Sequence, residues 1–217
     1  MEKEKALVLL SGGQDSSTCL VIALNTYKTV YTIGFNYGQR HRIELESAQT
    51  IADIARVPFE CLDLTLLSSL TVNSLTNKTL PIEHADHQLP NTFVDGRNLL
   101  FLNIAAIYAK RRGITDIVTG VCQTDYSGYP DCRDEFIQSA AQTLRLAMEY
   151  PFQIITPLMW LTKAQTILKM QELGKLDWYA HTHTCYEGKR PPCTQCPACK
   201  LRQKGFLEAE MQDPLLP

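Results

Sequence analysis

The stretch Ser11-Gly12-Gly13-Gln14-Asp15-Ser16 constrains the fold of this chain more than any other. It follows the apolar run Ala6-Leu7-Val8-Leu9-Leu10 and leads into a helical pattern through Thr18 to Leu24. A buried strand that turns on two glycines into a helix makes an anion site. The backbone N–H groups of the helix start point outward, and the helix dipole favours negative charge. Gly12 and Gly13 let the backbone approach a phosphate with no Cβ in the way, while Ser11, Ser16 and Ser17 offer hydroxyl donors. Neither a Gly-Lys-Ser/Thr P-loop nor a Gly-x-Gly-x-x-Gly fingerprint occurs. The same residues also suit an ordinary strand-to-helix turn.

Periodicity beyond the turn alternates strands and helices. Strands are expected over Val30–Phe35, Phe59–Leu64, Asp116–Val121 and Phe152–Thr156, and helices over Arg42–Arg56, Asn98–Arg112, Asp134–Met148 and Thr162–Leu173. Such alternation predicts an α/β fold, a parallel sheet covered by helices on both faces, with ligands at the carboxyl ends of the strands. Between Leu66 and Pro90 the pattern fades into Ser, Thr, Asn and His, which suggests an irregular segment and leaves open a lid over the site. The chain is expected to divide into an α/β domain over 1–180 and a cysteine-bearing segment over 181–217 packed on it.

Charge narrows the partners. With 21 basic against 23 acidic residues, the chain gives no support for tight binding to a nucleic-acid backbone. No apolar run reaches the roughly 18 residues needed to span a membrane, and no signal peptide is visible, so a soluble cytoplasmic protein is expected. Without an export signal, the eight cysteines argue for metal or catalysis rather than disulfides. Cys185, Cys193, Cys196 and Cys199 crowd into fifteen residues at spacings that can close a tetrahedron. Four sulfurs satisfy Zn²⁺ and leave no open position, so the metal would be structural; an iron–sulfur cluster is the smaller alternative. Cys19 reads as a small buried residue, whereas Cys122 and Cys132 flank the dense loop Thr124 to Arg133.

The hexamer at residue 11 resembles the PP-loop of ATP pyrophosphatases, which cut ATP into AMP and pyrophosphate. Further elements extend the resemblance: Asn36-Tyr-Gly-Gln-Arg-His41, Pro90-Asn-Thr-Phe-Val94, Gly96-Arg97-Asn98, Asp125-Tyr-Ser-Gly-Tyr-Pro-Asp-Cys-Arg133, Thr156-Pro-Leu-Met-Trp160, Lys163 and Thr184-Cys-Tyr186. Together they resemble the 7-cyano-7-deazaguanine synthase family of queuosine precursor biosynthesis, from about Ala6 to Gly205. Asp95, Gln123 and a Cys185-to-Cys193 spacer about one residue short depart from the family's usual pattern.

The resemblance implies an adenine nucleotide alpha-hydrolase-like fold and an ATP-dependent C–N ligase that turns 7-carboxy-7-deazaguanine and ammonia into the 7-nitrile. By the same resemblance, Leu10, Ser11, Gly12, Gly13, Gln14, Asp15, Ser16, Ser17, Thr18, Cys19 and Leu20 contact ATP. Arg97 and Lys163 supply cations at the reacting phosphate. Asp15 caps the helix or organises Mg²⁺, which ATP needs for charge neutralisation. Asp125, Tyr126, Tyr129, Asp131 and Arg133 offer acids, aromatic faces and a guanidinium for the deazaguanine. A homodimer is implied as well. The rival reading is a PP-loop enzyme that thiolates tRNA through a cysteine pair or an iron–sulfur cluster.

Overall fold

The computed structural model describes residues 3–77, 79–82, 89–124 and 128–216. Strands β1 (Lys3–Leu9), β2 (Tyr27–Asn36), β3 (Phe59–Asp63), β4 (Asp116–Val118) and β5 (Gln153–Ile155) form one sheet in the order β3-β2-β1-β4-β5, parallel throughout. The chain builds outward from β1 through β2 to β3, then crosses to the other side of β1 to add β4 and β5. The strand order therefore reverses between β1 and β4, the place where open α/β sheets leave a crevice at their carboxyl ends.

Helices are α1 (Gln14–Leu24), α2 (Ile43–Ala55), α3 (Leu66–Leu70), α4 (Arg97–Arg111), α5 (Asp134–Met148), α6 (Lys163–Glu172) and α7 (Pro197–Glu208). Alternation along β1 sorts the two cores, because successive side chains leave a strand on opposite faces. Ala6 and Val8 join Leu20 and Val21 of α1, Ile51 of α2, Ile167 and Met170 of α6 and Phe206 of α7. Leu7 joins Leu102, Ala105 and Ala109 of α4 and Ile137 and Leu144 of α5. The sheet is thus covered on both faces, as its near-continuous apolar strands require.

Most expected elements appear with shifted ends. β1 and β2 begin earlier than their apolar runs: Lys3 pairs with Tyr27 and Lys5 with Thr29, and Lys3 Nζ and the Tyr27 hydroxyl both donate to Asp116 at 2.8 Å. β4 stops at Val118, after which Thr119 N–H still reaches Ile155 O and Gln123 N–H reaches Met159 O. In the segment expected to be irregular, α3 is the one helix among the described residues. Residues 83–88, the centre of any lid, lie outside the described residues. Pattern reading missed α7, which opens with Pro197 at its first position and is broken in composition by Gly205. No helix of the described residues is long and apolar enough to cross a membrane.

Candidate active site and metal centre

The turn after β1 is built to keep helix amides free. Gly12 adopts the left-handed conformation at φ +83°, and a Cβ there would run into Glu44 O and lie 2.6 Å from Ala48 N. Only glycine allows α2 to seat this closely on the loop. Gly13 is the N-cap of α1 and offers no side-chain cap, so the first-turn N–H groups are left for a ligand. The Ser11 and Ser16 hydroxyls meet at 3.1 Å, and Ser16 Oγ also donates to Gly13 O at 3.2 Å. Asp15 is not the N-cap. It lies one turn position inside α1, and its two carboxylate oxygens accept from Lys163 Nζ at 2.7 and 2.8 Å.

Lys163 is buried rather than solvated, fixed at the first position of α6 by a capping box: Gln165 N–H donates to Thr162 Oγ1 at 3.2 Å, and Thr162 N–H to Gln165 Oε1 at 2.8 Å. From the other side, α7 admits the lysine stem at Gly205.

A cavity of about 630 Å³ opens at the switch point, within the usual range for small-molecule sites. Leu10, Ser11, Gly13, Gln14, Asp15 and Ser16 line it. Ser17, Thr18, Cys19 and Leu20 do not: they lie buried in the body of α1, with Ser17 Oγ donating to Gly13 O and the Thr18 hydroxyl 2.6 Å from Tyr179 OH. The Gln14 amide nitrogen is buried with no hydrogen-bond partner among the described residues, a donor suited to a phosphate oxygen.

Arg97, the first residue of α4, stands between two aromatic faces, 5.9 Å from the Tyr37 centroid and 5.8 Å from the Tyr129 centroid. Burial opposes its charge, but its neighbours, the Asp131 carboxylate among them, keep the guanidinium protonated. The dense loop divides by role. Tyr129 lines the cavity and its hydroxyl lies 2.6 Å from the Thr92 hydroxyl. Asp131 sits behind the wall, where Oδ2 accepts from Asn98 N–H at 3.3 Å and braces the start of α4; burial raises its carboxyl against the pull of Arg97. Arg133 points out to Glu135 at 3.7 Å. Asp125 and Tyr126 lie outside the described residues. Gln123 accepts from Asp134 N–H at 3.0 Å and so caps α5, a task a neutral carbonyl performs as well as an acid.

The cavity also holds residues to which the sequence assigned no role: Tyr37, Glu44, Phe101, Asn98 and Tyr186. Burial pushes Glu44 up to about 7, with Arg97 opposing, and pushes the Tyr37 hydroxyl and the Cys132 thiol each to about 12. Cys132 is therefore a neutral thiol at the wall, poorly suited to act as a nucleophile. Motif membership flagged Tyr37, Asn98 and Tyr186; nothing flagged Glu44, because an acid in a first helical turn reads as a solvated dipole partner.

Cys185, Cys193, Cys196 and Cys199 bring their sulfurs within 4.8 Å of one another. Cys193 and Cys199 Sγ are 3.8 Å apart, the edge of a tetrahedron with metal–sulfur bonds of about 2.3 Å. Cys193 N–H donates to Cys185 Sγ at 3.4 Å, and Cys196 N–H to Cys193 Sγ at 3.3 Å, the outer hydrogen bonds that thiolate ligands need. The donor set fits a four-sulfur metal such as zinc. No comparable cage exists for Mg²⁺ among the described residues: only Asp15 and Glu44 bring carboxylates to the cavity, and Asp15 is committed to Lys163.

The metal segment is tied into the site. His183 N–H donates to Gly12 O at 2.9 Å, and Tyr186, next to Cys185, forms part of the cavity wall. Buried Arg202 of α7 pairs with Asp213 at 2.6 and 2.7 Å and donates to Thr182 Oγ1, Thr184 Oγ1 and Tyr179 O.

Solved structures with the same fold include an NMN synthetase from Francisella tularensis, at TM-score 0.56 and 14% identity over 97% of this chain and 79% of that one. A 4-thiouridine synthetase in complex with RNA and bound ATP aligns at TM-score 0.53 and 20% identity, covering 95% of this chain and half of the other. At such identities the likeness concerns fold alone. Sequence relatives are far nearer. Two proteins of Clostridium botulinum, strains 657 and Langeland, are each named 7-cyano-7-deazaguanine synthase. Both are 52% identical to this chain, over 98% of it and 99% of the relative in one case and 97% and 98% in the other. Residues 5–210 match the family described as Queuosine biosynthesis protein QueC. With the PP-loop turn, the Arg97 cage and the four-cysteine centre all inside the matched span, the chain belongs to the QueC family.

Proposed function

We propose that this protein converts 7-carboxy-7-deazaguanine, ammonia and two ATP into 7-cyano-7-deazaguanine, two AMP and two pyrophosphate. The observation that carries the reading is one cavity joining uncapped helix amides, the Lys163–Asp15 pair and the tyrosine-flanked Arg97, in a chain whose full-length relatives bear that enzyme's name.

A carboxylate resists ammonia because its oxygen is too poor a leaving group. Attack of that oxygen on the α-phosphorus of ATP expels pyrophosphate and leaves an acyl adenylate. Ammonia then adds to the carbonyl carbon, AMP departs with the oxygen, and a proton is lost to give the amide. The amide oxygen attacks a second ATP in the same way. AMP departs with that oxygen while nitrogen gives up its last two protons, and the nitrile forms.

The amides of α1, the Gln14 side chain and the Ser11 and Ser16 hydroxyls take the leaving pyrophosphate. Arg97 and Lys163 bring fixed positive charge to the α-phosphate, where negative charge builds in both adenylations. Asp15 holds the Lys163 ammonium in place. Mg²⁺ bound together with ATP would supply charge neutralisation at the phosphates. Zinc held by Cys185, Cys193, Cys196 and Cys199 fixes the wall that carries Tyr186. Tyr129, with Tyr37 and Tyr186, supplies aromatic faces for the base.

Incubation of the zinc-loaded protein with ATP, Mg²⁺, ammonium and the acid, read by mass spectrometry, tests the reading. Nitrile, AMP and pyrophosphate are expected. Absence of turnover from a folded, zinc-loaded protein would overturn it.

A further inference from the structure

The cavity wall presents two carboxylates among the described residues, and they stand in opposite situations. Asp15 has both oxygens on Lys163. Glu44 forms no ion pair or hydrogen bond through its side chain to a described residue, and Arg97 acts on it only through space. Its position is nevertheless fixed. The first turn of α2 is locked against the PP-loop by the contact of the Glu44 carbonyl with Gly12 that only a glycine tolerates. Around the cavity stand the rings of Tyr37, Tyr129, Tyr186 and Phe101.

A carboxylate that is half-buried, carried on a fixed stretch of backbone and lacking donors is incomplete without a ligand that brings them. The proposed substrate does so. The pyrimidinone edge of a 7-deazaguanine carries N1–H and a 2-amino group side by side, two parallel donors spaced to match the two oxygens of a carboxylate. Aromatic faces beside the same point suit a flat bicyclic ring. Resting on the proposed reaction, we infer that Glu44 accepts the N1–H and 2-amino hydrogens of the deazaguanine and thereby selects the base. Burial already raises this carboxyl toward neutrality, so the bound donors restore the stabilisation that its ionised form lacks in the free protein.

The test compares kcat/KM for 7-carboxy-7-deazaguanine and for its analogue without the 2-amino group, in the wild type, Glu44→Gln and Glu44→Asp. A site built around a substrate hydrogen bond rejects the analogue lacking it by about 10⁴-fold. Wild type is expected to show a preference of this kind. In Glu44→Gln, which keeps one acceptor and points an NH₂ at a donor, the preference collapses: the parent acid loses about 10²-fold or more and the analogue changes little. Glu44→Asp, which keeps the charge, retains part of the preference and covers the case in which the glutamine variant does not fold. An unchanged preference in both variants would overturn the inference while leaving the reaction intact. Equal losses on both substrates with KM unchanged would overturn it in favour of a proton-transfer role toward ammonium. Absence of turnover in the wild type would overturn the reaction itself, and the inference with it.

Discussion

Gly205→Ala sets helix propensity against packing with opposite signs. Gly205 is buried in the body of α7, where replacing glycine by alanine ordinarily stabilises a helix by about 0.5–1 kcal/mol. Here the new methyl would run into Lys163 Cγ, lie 2.9 Å from Lys163 Cβ and 3.1 Å from Ile167 Cδ1. Carbon atoms settle at about 3.5–4.0 Å, so the lysine stem must retreat by roughly 1 Å. Carried through to Nζ, a retreat of that size would stretch its 2.7 and 2.8 Å hydrogen bonds to Asp15 beyond reach. Overpacking costs about 1–3 kcal/mol, which outweighs the propensity gain. For a domain of this length each kcal/mol corresponds to about 2–4 °C, so the melting temperature is expected to fall by several degrees. A misplacement of about 1 Å at a reacting group can cost on the order of 10²-fold in rate, and AMP formation should fall by that order in the folded variant. Calorimetry and a discontinuous AMP assay read the two effects. A variant that melts higher than wild type and turns over normally would refute the claim that α7 positions Lys163.

Stripping metal from the four-cysteine centre with a chelator, or replacing Cys196 by serine, is expected to melt α7 and abolish turnover together. Metal binding in small zinc sites is worth on the order of 10 kcal/mol, and this segment supplies Tyr186 and the His183 bond to Gly12; circular dichroism with an activity assay checks it, and full turnover of the zinc-free protein would contradict it. Glu44→Gln should stabilise the ligand-free protein at pH 8 but not at pH 4. The folded state raises this acid from about 4.5 to about 7, so its ionised form opposes folding by at most about 3 kcal/mol; that cost is absent below its unfolded value and complete above pH 7, and melts at the two pH values show whether the difference follows this sign. Cys132, its thiol pushed up to about 12, should resist iodoacetamide at pH 7 in the folded protein, and Cys132→Ala should retain turnover; complete loss of activity with the fold intact would revive thiol chemistry.

Legibility in the sequence followed how local the physics was. The PP-loop turn and the four cysteines were readable because a strand–glycine–helix junction and fixed thiol spacings act over a few residues. The sheet's alternation was readable for the same reason, but the starts of β1 and β2 were not, since backbone pairing carries Lys3 and Lys5 into the ladder without apolar side chains. The run from Asp125 to Arg133 is dense in functional groups, yet density of residue types is not direction: Asp131 braces α4 from behind the wall and Arg133 points outward. Residues 17–20 follow the loop in sequence but belong to the core, because α1 turns them away from the cavity. Glu44 and Gly205 were invisible for the converse reason. Each owes its place to a contact across the fold, Glu44 to Gly12 and Gly205 to Lys163, and neither contact leaves a mark in the local pattern.

The most direct test of the proposed chemistry follows the oxygens of the substrate. The acid is labelled with ¹⁸O at both carboxylate positions, and AMP and pyrophosphate from complete turnover are weighed by mass spectrometry. Two adenylations require one ¹⁸O in each of the two AMP molecules formed per nitrile, and none in pyrophosphate. Label in inorganic phosphate, or AMP free of label, would contradict the account.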